Sequence, residues 1–174
     1  MSNYPMTHIH PDAKIAIGVV IEPFTVIHKN VEIGEGTWIG NNVTIMEGAR
    51  IGKNCSIFPG AVISAIPQDL KFGGEMTTAE IGDNSTIREC VTINRGTSDK
   101  LKTVIGKNCL IMAYVHVAHD CVIGNNCILA NSTVFSLFTN IDELQEKPFF
   151  SIKYQGVALV LSCQLPLRKC ANLG

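Results

Sequence analysis

Aromatic residues make up 6% of the 174-residue sequence and charged residues 17%. So thin an aromatic content excludes a core packed on rings and leaves aliphatic side chains to fill it. No cluster of Lys or Arg interrupts the sequence and the formal net charge is -1, which argues against nucleic acid or an anionic membrane surface as the main partner. No apolar run approaches the roughly 18 residues a membrane span needs, and the N-terminal MSNYPMTHIHPDAK lacks the apolar stretch of an export signal. Seven cysteines occur without a C-x-x-C pair, so neither a disulfide framework nor a cysteine metal site is expected. These absences leave a single soluble domain, cytoplasmic and without a metal, as the expectation.

What is present is a period. From Ile9 to Ile63 an isoleucine occupies every sixth position without a miss. Four residues after each of the first nine comes a small or β-branched residue: Ala13, Val19, Thr25, Val31, Thr37, Val43, Ala49, Cys55 and Ala61. Six fits neither a 3.6-residue helix nor a two-residue alternation, so the unit is a short strand plus a corner. One hexad cannot bury its own isoleucine, whereas three wound into a triangular coil can, each coil roofing the next. The fold class this implies is all-β, a parallel β-helix. The ladder restarts in phase at Ile81, Ile87 and Ile93, and again at Ile105, Ile111, Val117, Ile123 and Leu129. That makes eighteen hexads, or six coils. Cys55, Cys109, Cys121 and Cys127 take the small inward position and read as small hydrophobes.

The domain expected is residues 1–133, with Gly34, Gly40 and Gly52 placed after their isoleucines for tight turning. Residues 64–80 break the repeat with Pro67, the pair Gly73 and Gly74, and the lone aromatic Phe72; residues 99–104 break it more briefly. Both read as extruded loops, and loops on rigid scaffolds are where ligands are met. After Thr133 the period fails: residues 134–174 form an aperiodic tail in which Phe135 and Ile141 read as chance matches.

Counting three hexads to a coil aligns Ala65, Arg95 and His119 on one face, which predicts Arg95 beside His119 with both side chains outward. A cation beside a histidine favours the neutral imidazole, and a neutral imidazole in a groove can act as general base. Asp120 follows directly and can orient the ring if a corner turns it to the same side. Against this stands the plain reading of His116 and His119 as polar residues on a solvated face. A zinc site is the other rival, with no third ligand in view beyond His28; His8, His10 and His28 read as surface residues.

The segments AIPQDLKF, IGDNSTIRE, VTINRGT and LIMAYVHVAHDCVIGNNCILANST closely resemble the bacterial UDP-N-acetylglucosamine acyltransferases of lipid A biosynthesis, over about residues 7 to 133. The hexads alone would indicate only the wider hexapeptide-repeat superfamily. The resemblance implies a left-handed β-helix assembled as a homotrimer, with sites in grooves between subunits and no cofactor. It implies transfer of a 3-hydroxyacyl chain from acyl carrier protein to the 3-hydroxyl of UDP-N-acetylglucosamine. It also implies His119 as catalytic base with Asp120 supporting it, and His116, Gln68, Asp69 and Lys71 as substrate contacts; Arg95, read from its place on the same face, is expected to bind substrate too, its cation favouring an oxyanion or a bound phosphate. The family's later hexads and C-terminal helical region have no counterpart after Thr133, which suggests a shifted frame or spliced end and gives the tail no family role. Two alternatives stay open: a trimeric β-helix fragment with impaired catalysis, and a related transferase acting on another amino sugar.

Overall fold

The structure, a computed structural model, describes residues 4–135 and a strand at 140–141. Among the described residues twenty short parallel strands, β1 (His8–Ile9) to β20 (Asn140–Ile141), make three sheets, and each strand up to β17 pairs with the strand three later. The sheet containing β1, β4 and every third strand thereafter is called A; the one beginning with β2 is B and the one beginning with β3 is C. The chain therefore winds as a β-helix, and its hand is left.

The inward isoleucines stack in register. In sheet A, Ile9 lies opposite Ile27, Ile27 opposite Ile45, Ile45 opposite Ile63, and Ile63 opposite Ile93. Ile27, Ile39, Ile45, Ile57, Ile63, Ile87 and Ile111 are fully buried, so each is covered by the coils before and after it. At roughly 25 cal/mol per Å² this burial is the main term holding the coils together. The interruptions preserve the phase: Arg50 pairs with Glu80 and Glu80 with Val104. Beyond the eighteen residues of a coil, the first loop adds two hexads of sequence and the second adds one.

The corners rely on asparagine. Asn30, Asn42, Asn54, Asn84, Asn108 and Asn126 all have positive φ, a conformation asparagine tolerates better than most residues. Gly34 and Gly52 differ from the sequence expectation, because neither carries the positive φ of a turn; a Cβ on Gly34 would lie 2.6 Å from the Gly52 carbonyl. They are small because the next coil's backbone passes there. The inward cysteines do more than fill space: Cys55 and Cys109 donate to the carbonyls of Gly82 and Gly124, as Thr37 and Ser85 do to those of Gly52 and Gly106.

The outer rows of the sheets differ in charge. Along sheet B the sign alternates over four coils through Lys14, Glu32, Arg50 and Glu80 before Val104 ends the row; ion pairs Lys14–Glu32 and Arg50–Glu32 lie at 2.9 and 3.8 Å, and Lys102, opposite Thr78, reaches Glu80 at 3.4 Å. The strand residues of sheet A that face outward, Val26, Thr44, Val62, Thr92 and His116, carry no permanent charge.

One expectation is corrected. Phe135 is no chance match, for β19 (Val134–Phe135) pairs with β16 (His116–Val117) and Phe135 is buried over Val117. Likewise β20 pairs with β17 (Val122–Ile123), placing Ile141 opposite Ile123. Sheets A and B thus run one strand past the sixth coil. The aperiodic reading of 136–139 and 142–174 lies outside the described residues.

Candidate active site

The site arises where sheet A leaves the regular path. Strand β10 (Val62–Ala65) ends in a register shift, with Ile63 opposite Ile93 but Ala65 opposite Asn94. Ser64 takes φ +65° at the shift. The chain then departs as the 66–77 loop and re-enters at β11 (Thr78–Ile81), whose Ala79 N donates to Gly48 O at 3.1 Å. Gly48 has φ +86°, and a Cβ there would run into the Thr77 carbonyl, so the re-entry requires glycine.

Below the loop, Asp120 sits at a corner with φ +61°. Successive residues of a flat strand face opposite ways. The left-handed turn instead brings His119 and Asp120 together, with Nδ1 of the ring 2.7 Å from Oδ2 of the carboxylate. Because an ionised carboxylate only accepts, Nδ1 carries the proton and Nε2 keeps a free lone pair. The same Oδ2 accepts from Thr97 Oγ1 at 2.6 Å, Oδ1 accepts from Thr97 N at 3.0 Å, and Asp120 N donates to Thr103 Oγ1 at 2.9 Å. Burial is the largest influence on the Asp120 carboxyl and pushes its pKa up; the bonds from Thr97 and His119 together outweigh it and hold the group below the usual carboxylate range. Asp120 is therefore ionised at neutral pH and fixes the imidazole.

His119 is 6% exposed, not open on a solvated face. It lines a cavity of about 400 Å³ with Asp120, Thr97, Ser98 and Asp99 on one side and Asp69, Lys71, Phe72 and Glu75 of the loop on the other. Of the residues expected from sequence, His119, Asp120, Asp69 and Lys71 meet here. Gln68, His116 and Arg95 do not line the cavity. Gln68 is exposed on the loop. His116 is half-buried on sheet A with Nδ1 2.7 Å from Thr92 Oγ1, and burial lowers its pKa, favouring the neutral ring. The Arg95 guanidinium donates from Nη1 to Glu47 O at 3.1 Å and lies over the Phe72 ring, 5.3 Å from its centre.

Phe72, Glu75, Thr97, Ser98 and Asp99 were not picked as site residues. The only signal for them was position: Phe72 and Glu75 lie in the first loop, Thr97 and Ser98 precede the second, and Asp99 opens it. A depression of similar volume, about 410 Å³, runs over sheet B past Arg50, Glu80 and Lys107. Its charges are already paired, Arg50 with Glu32, Glu80 with Lys102 and Lys107 with Asp83, and no histidine lines it. Among the described residues no group of three or more His, Cys, Asp or Glu is placed to hold a metal ion, and no helix is long and apolar enough to cross a membrane.

The β-helix has known relatives. Residues 30–65 and 102–136 match the family described as bacterial transferase hexapeptide (six repeats). The acyl-[acyl-carrier-protein]–UDP-N-acetylglucosamine O-acyltransferase of Saccharophagus degradans is 41% identical over 130 residues, 74% of this chain and 50% of that protein. Its counterpart in Thermodesulfovibrio yellowstonii is 47% identical over 136 residues, 78% of this chain and 53% of the other. Among solved structures, a UDP-N-acetylglucosamine acyltransferase from Bacteroides fragilis is 59% identical with a TM-score of 0.75, over 75% of this chain and 51% of that one. The chain spans about half the length of the curated relatives it matches.

Proposed function

We propose, from the premise that this chain belongs through its β-helix to the acyl-[acyl-carrier-protein]–UDP-N-acetylglucosamine O-acyltransferase family, that it transfers a 3-hydroxyacyl group from acyl carrier protein to the 3-hydroxyl of UDP-N-acetylglucosamine. That reaction opens lipid A biosynthesis and takes place in the cytoplasm. The observation that carries the reading is the His119–Asp120 pair inside a cavity roofed by the PQDLKF loop.

The chemistry follows from the tautomer. A sugar hydroxyl is a poor nucleophile until a base takes its proton, and Nε2 of His119 is the lone pair available for it. As the O–H proton passes to Nε2, the oxygen attacks the thioester carbonyl and a tetrahedral oxyanion forms. Collapse breaks the C–S bond, and the departing thiolate takes the proton back from Nε2. Asp120, already ionised, stabilises the imidazolium between those two steps. Lys71 and Asp69 at the cavity edge serve as sugar and nucleotide contacts, Gln68 as a further contact from the loop and His116 as one from sheet A. A second and third copy of the chain, packed as a homotrimer, would bring further walls to this groove. No cofactor enters the scheme.

The test is an assay of the purified chain with UDP-N-acetylglucosamine and 3-hydroxyacyl carrier protein, following the O-acylated sugar by mass. Product that disappears in His119→Ala supports the reading. No product from the parent chain, or equal turnover in the variant, overturns it; acylation of a different amino sugar alone would move the assignment to that substrate.

A further inference from the structure

The placement of Arg95 points to a role that its sequence position hides. The loop leaves the coils at Ala65 and Ile66, where Arg95 N donates to Ala65 O at 2.9 Å and Asn94 Nδ2 to Ile66 O at 2.5 Å. It returns at Thr78. Between these points its hydrogen bonds include three made within itself: Phe72 N to Asp69 O, Lys71 N to Asp69 Oδ1, and Gly73 N to Glu75 Oε2. Leu70 and Met76 stand fully out in solvent, and Gly73 and Gly74 have open space around them, Gly74 with φ +93°. The middle of the loop is tied to the coils by an aromatic contact, the Phe72 ring lying 5.3 Å from the Arg95 guanidinium.

Arg95 is itself anchored. Its Nη1 bonds to the Glu47 carbonyl, two coils away in sequence but adjacent in space, while its Nε is buried with no hydrogen-bond partner. A guanidinium placed for hydrogen bonding alone would not leave a buried N–H unpaired. Stacking on a ring accounts for the orientation, because it uses the flat face of the group and leaves the edge nitrogens to whatever is near.

We propose that Arg95 is a positioning residue: it holds Phe72, and with it Asp69 and Lys71, as the roof of the cavity over His119, and does not touch the substrate. Gly73 and Gly74 are the hinge about which the roof lifts when that contact breaks. The proposal rests on the assignment of His119 as the reacting centre for its bearing on catalysis, but the roof and its latch can be measured without any turnover.

Limited digestion with trypsin supplies that measurement, since Lys71 is exposed on the loop beside Phe72. In the full chain, Arg95→Met and Phe72→Leu should each speed cleavage after Lys71 about three- to tenfold, the range expected from losing one such contact. The double variant should be no faster than the faster single, because both remove one interaction. Arg95→Lys should restore the protection only in part, because an ammonium keeps the charge but lacks the flat face, and melting temperatures should stay near the parent value. Cleavage unchanged in Arg95→Met, or effects that multiply in the double variant, overturn the proposal. In the acyl-transfer assay Arg95→Met should raise KM for the sugar nucleotide more than it lowers kcat. A raised KM with protection at Lys71 intact would make Arg95 a substrate contact and overturn the positioning role. Linked cleavage in a chain with no acyl-transfer activity would leave the latch standing and sink only the reaction assigned to the cavity.

Discussion

The coils from Ile9 to Ile63 and the segment from Ser64 to Thr103 are built from the same repeat and held in different ways. In the first, every inward isoleucine from Ile27 on has an equivalent above and below it, and Ile33, Ile51 and Ile81 form one continuous stack. In the second, single contacts do single jobs: Gly48 admits the Thr77 carbonyl, Thr97 grips both oxygens of Asp120, and Arg95 stacks on Phe72. Redundancy protects the ladder against small changes of volume, while the site has no spare for any of its contacts.

The contrast can be broken most forcefully from the ladder side. Ile51→Asp places an unpaired charge in a dry stack and should cost roughly 4 kcal/mol or more, read as a collapse of the urea midpoint. A variant as stable as the parent would mean Ile51 is not inward at all. On the site side, His119→Ala should lower acyl transfer by roughly 10² to 10⁴ with the β-sheet circular dichroism signal retained, since no ladder position is touched. Gly48→Ala falls between the regions. It forces a Cβ into the loop's return path at a positive φ, and should destabilise by about 2 kcal/mol, against a few tenths for an exposed corner. Equal tolerance at both would erase the distinction.

The smallest effect is one of pH. Asp120 has its carboxyl pKa lowered in the folded chain, so it contributes stability that is present above the unfolded value, about 3.9, and is lost as pH falls through the lower folded value. His119 and Thr97 supply that contribution. Asp120→Asn should therefore flatten the fall in melting temperature below about pH 4. An acid limb identical in parent and variant would show that the three hydrogen bonds do not favour the ionised form.

Almost all of the ladder could be read from the text, because burying one residue in six leaves a mark at every coil. The last two strands escaped for the converse reason. Phe135 takes an inward position and Ile141 keeps the register opposite Ile123, but the residues around them do not repeat, and a lone aromatic in place of isoleucine looks like noise until Val117 is seen beneath it. His119 and Asp120 could be paired in advance because adjacency plus a corner suffices. The direction of Arg95 could not be, since it depends on the register shift after Ile63 and on where a twelve-residue loop comes to rest. Thr97 and Thr103 carry no periodic signal of their role either; they meet Asp120 only after the second loop has been extruded between them.

A stack of identical isoleucines has one weakness: it is the same after a shift of one coil, so apolar burial cannot tell a correct winding from one that has skipped a turn. The row on sheet B can. Because the sign changes from each of the first four coils to the next, a skipped turn would bring Lys14 against Arg50 and Glu32 against Glu80, like against like at strand spacing. Each pair on its own adds little stability, as exposed ion pairs do. Their alternation works instead as a parity check on the count of turns, rejecting an odd error that the core would accept, and so keeps Thr97, Thr103 and His119 arriving on the coils where they can meet.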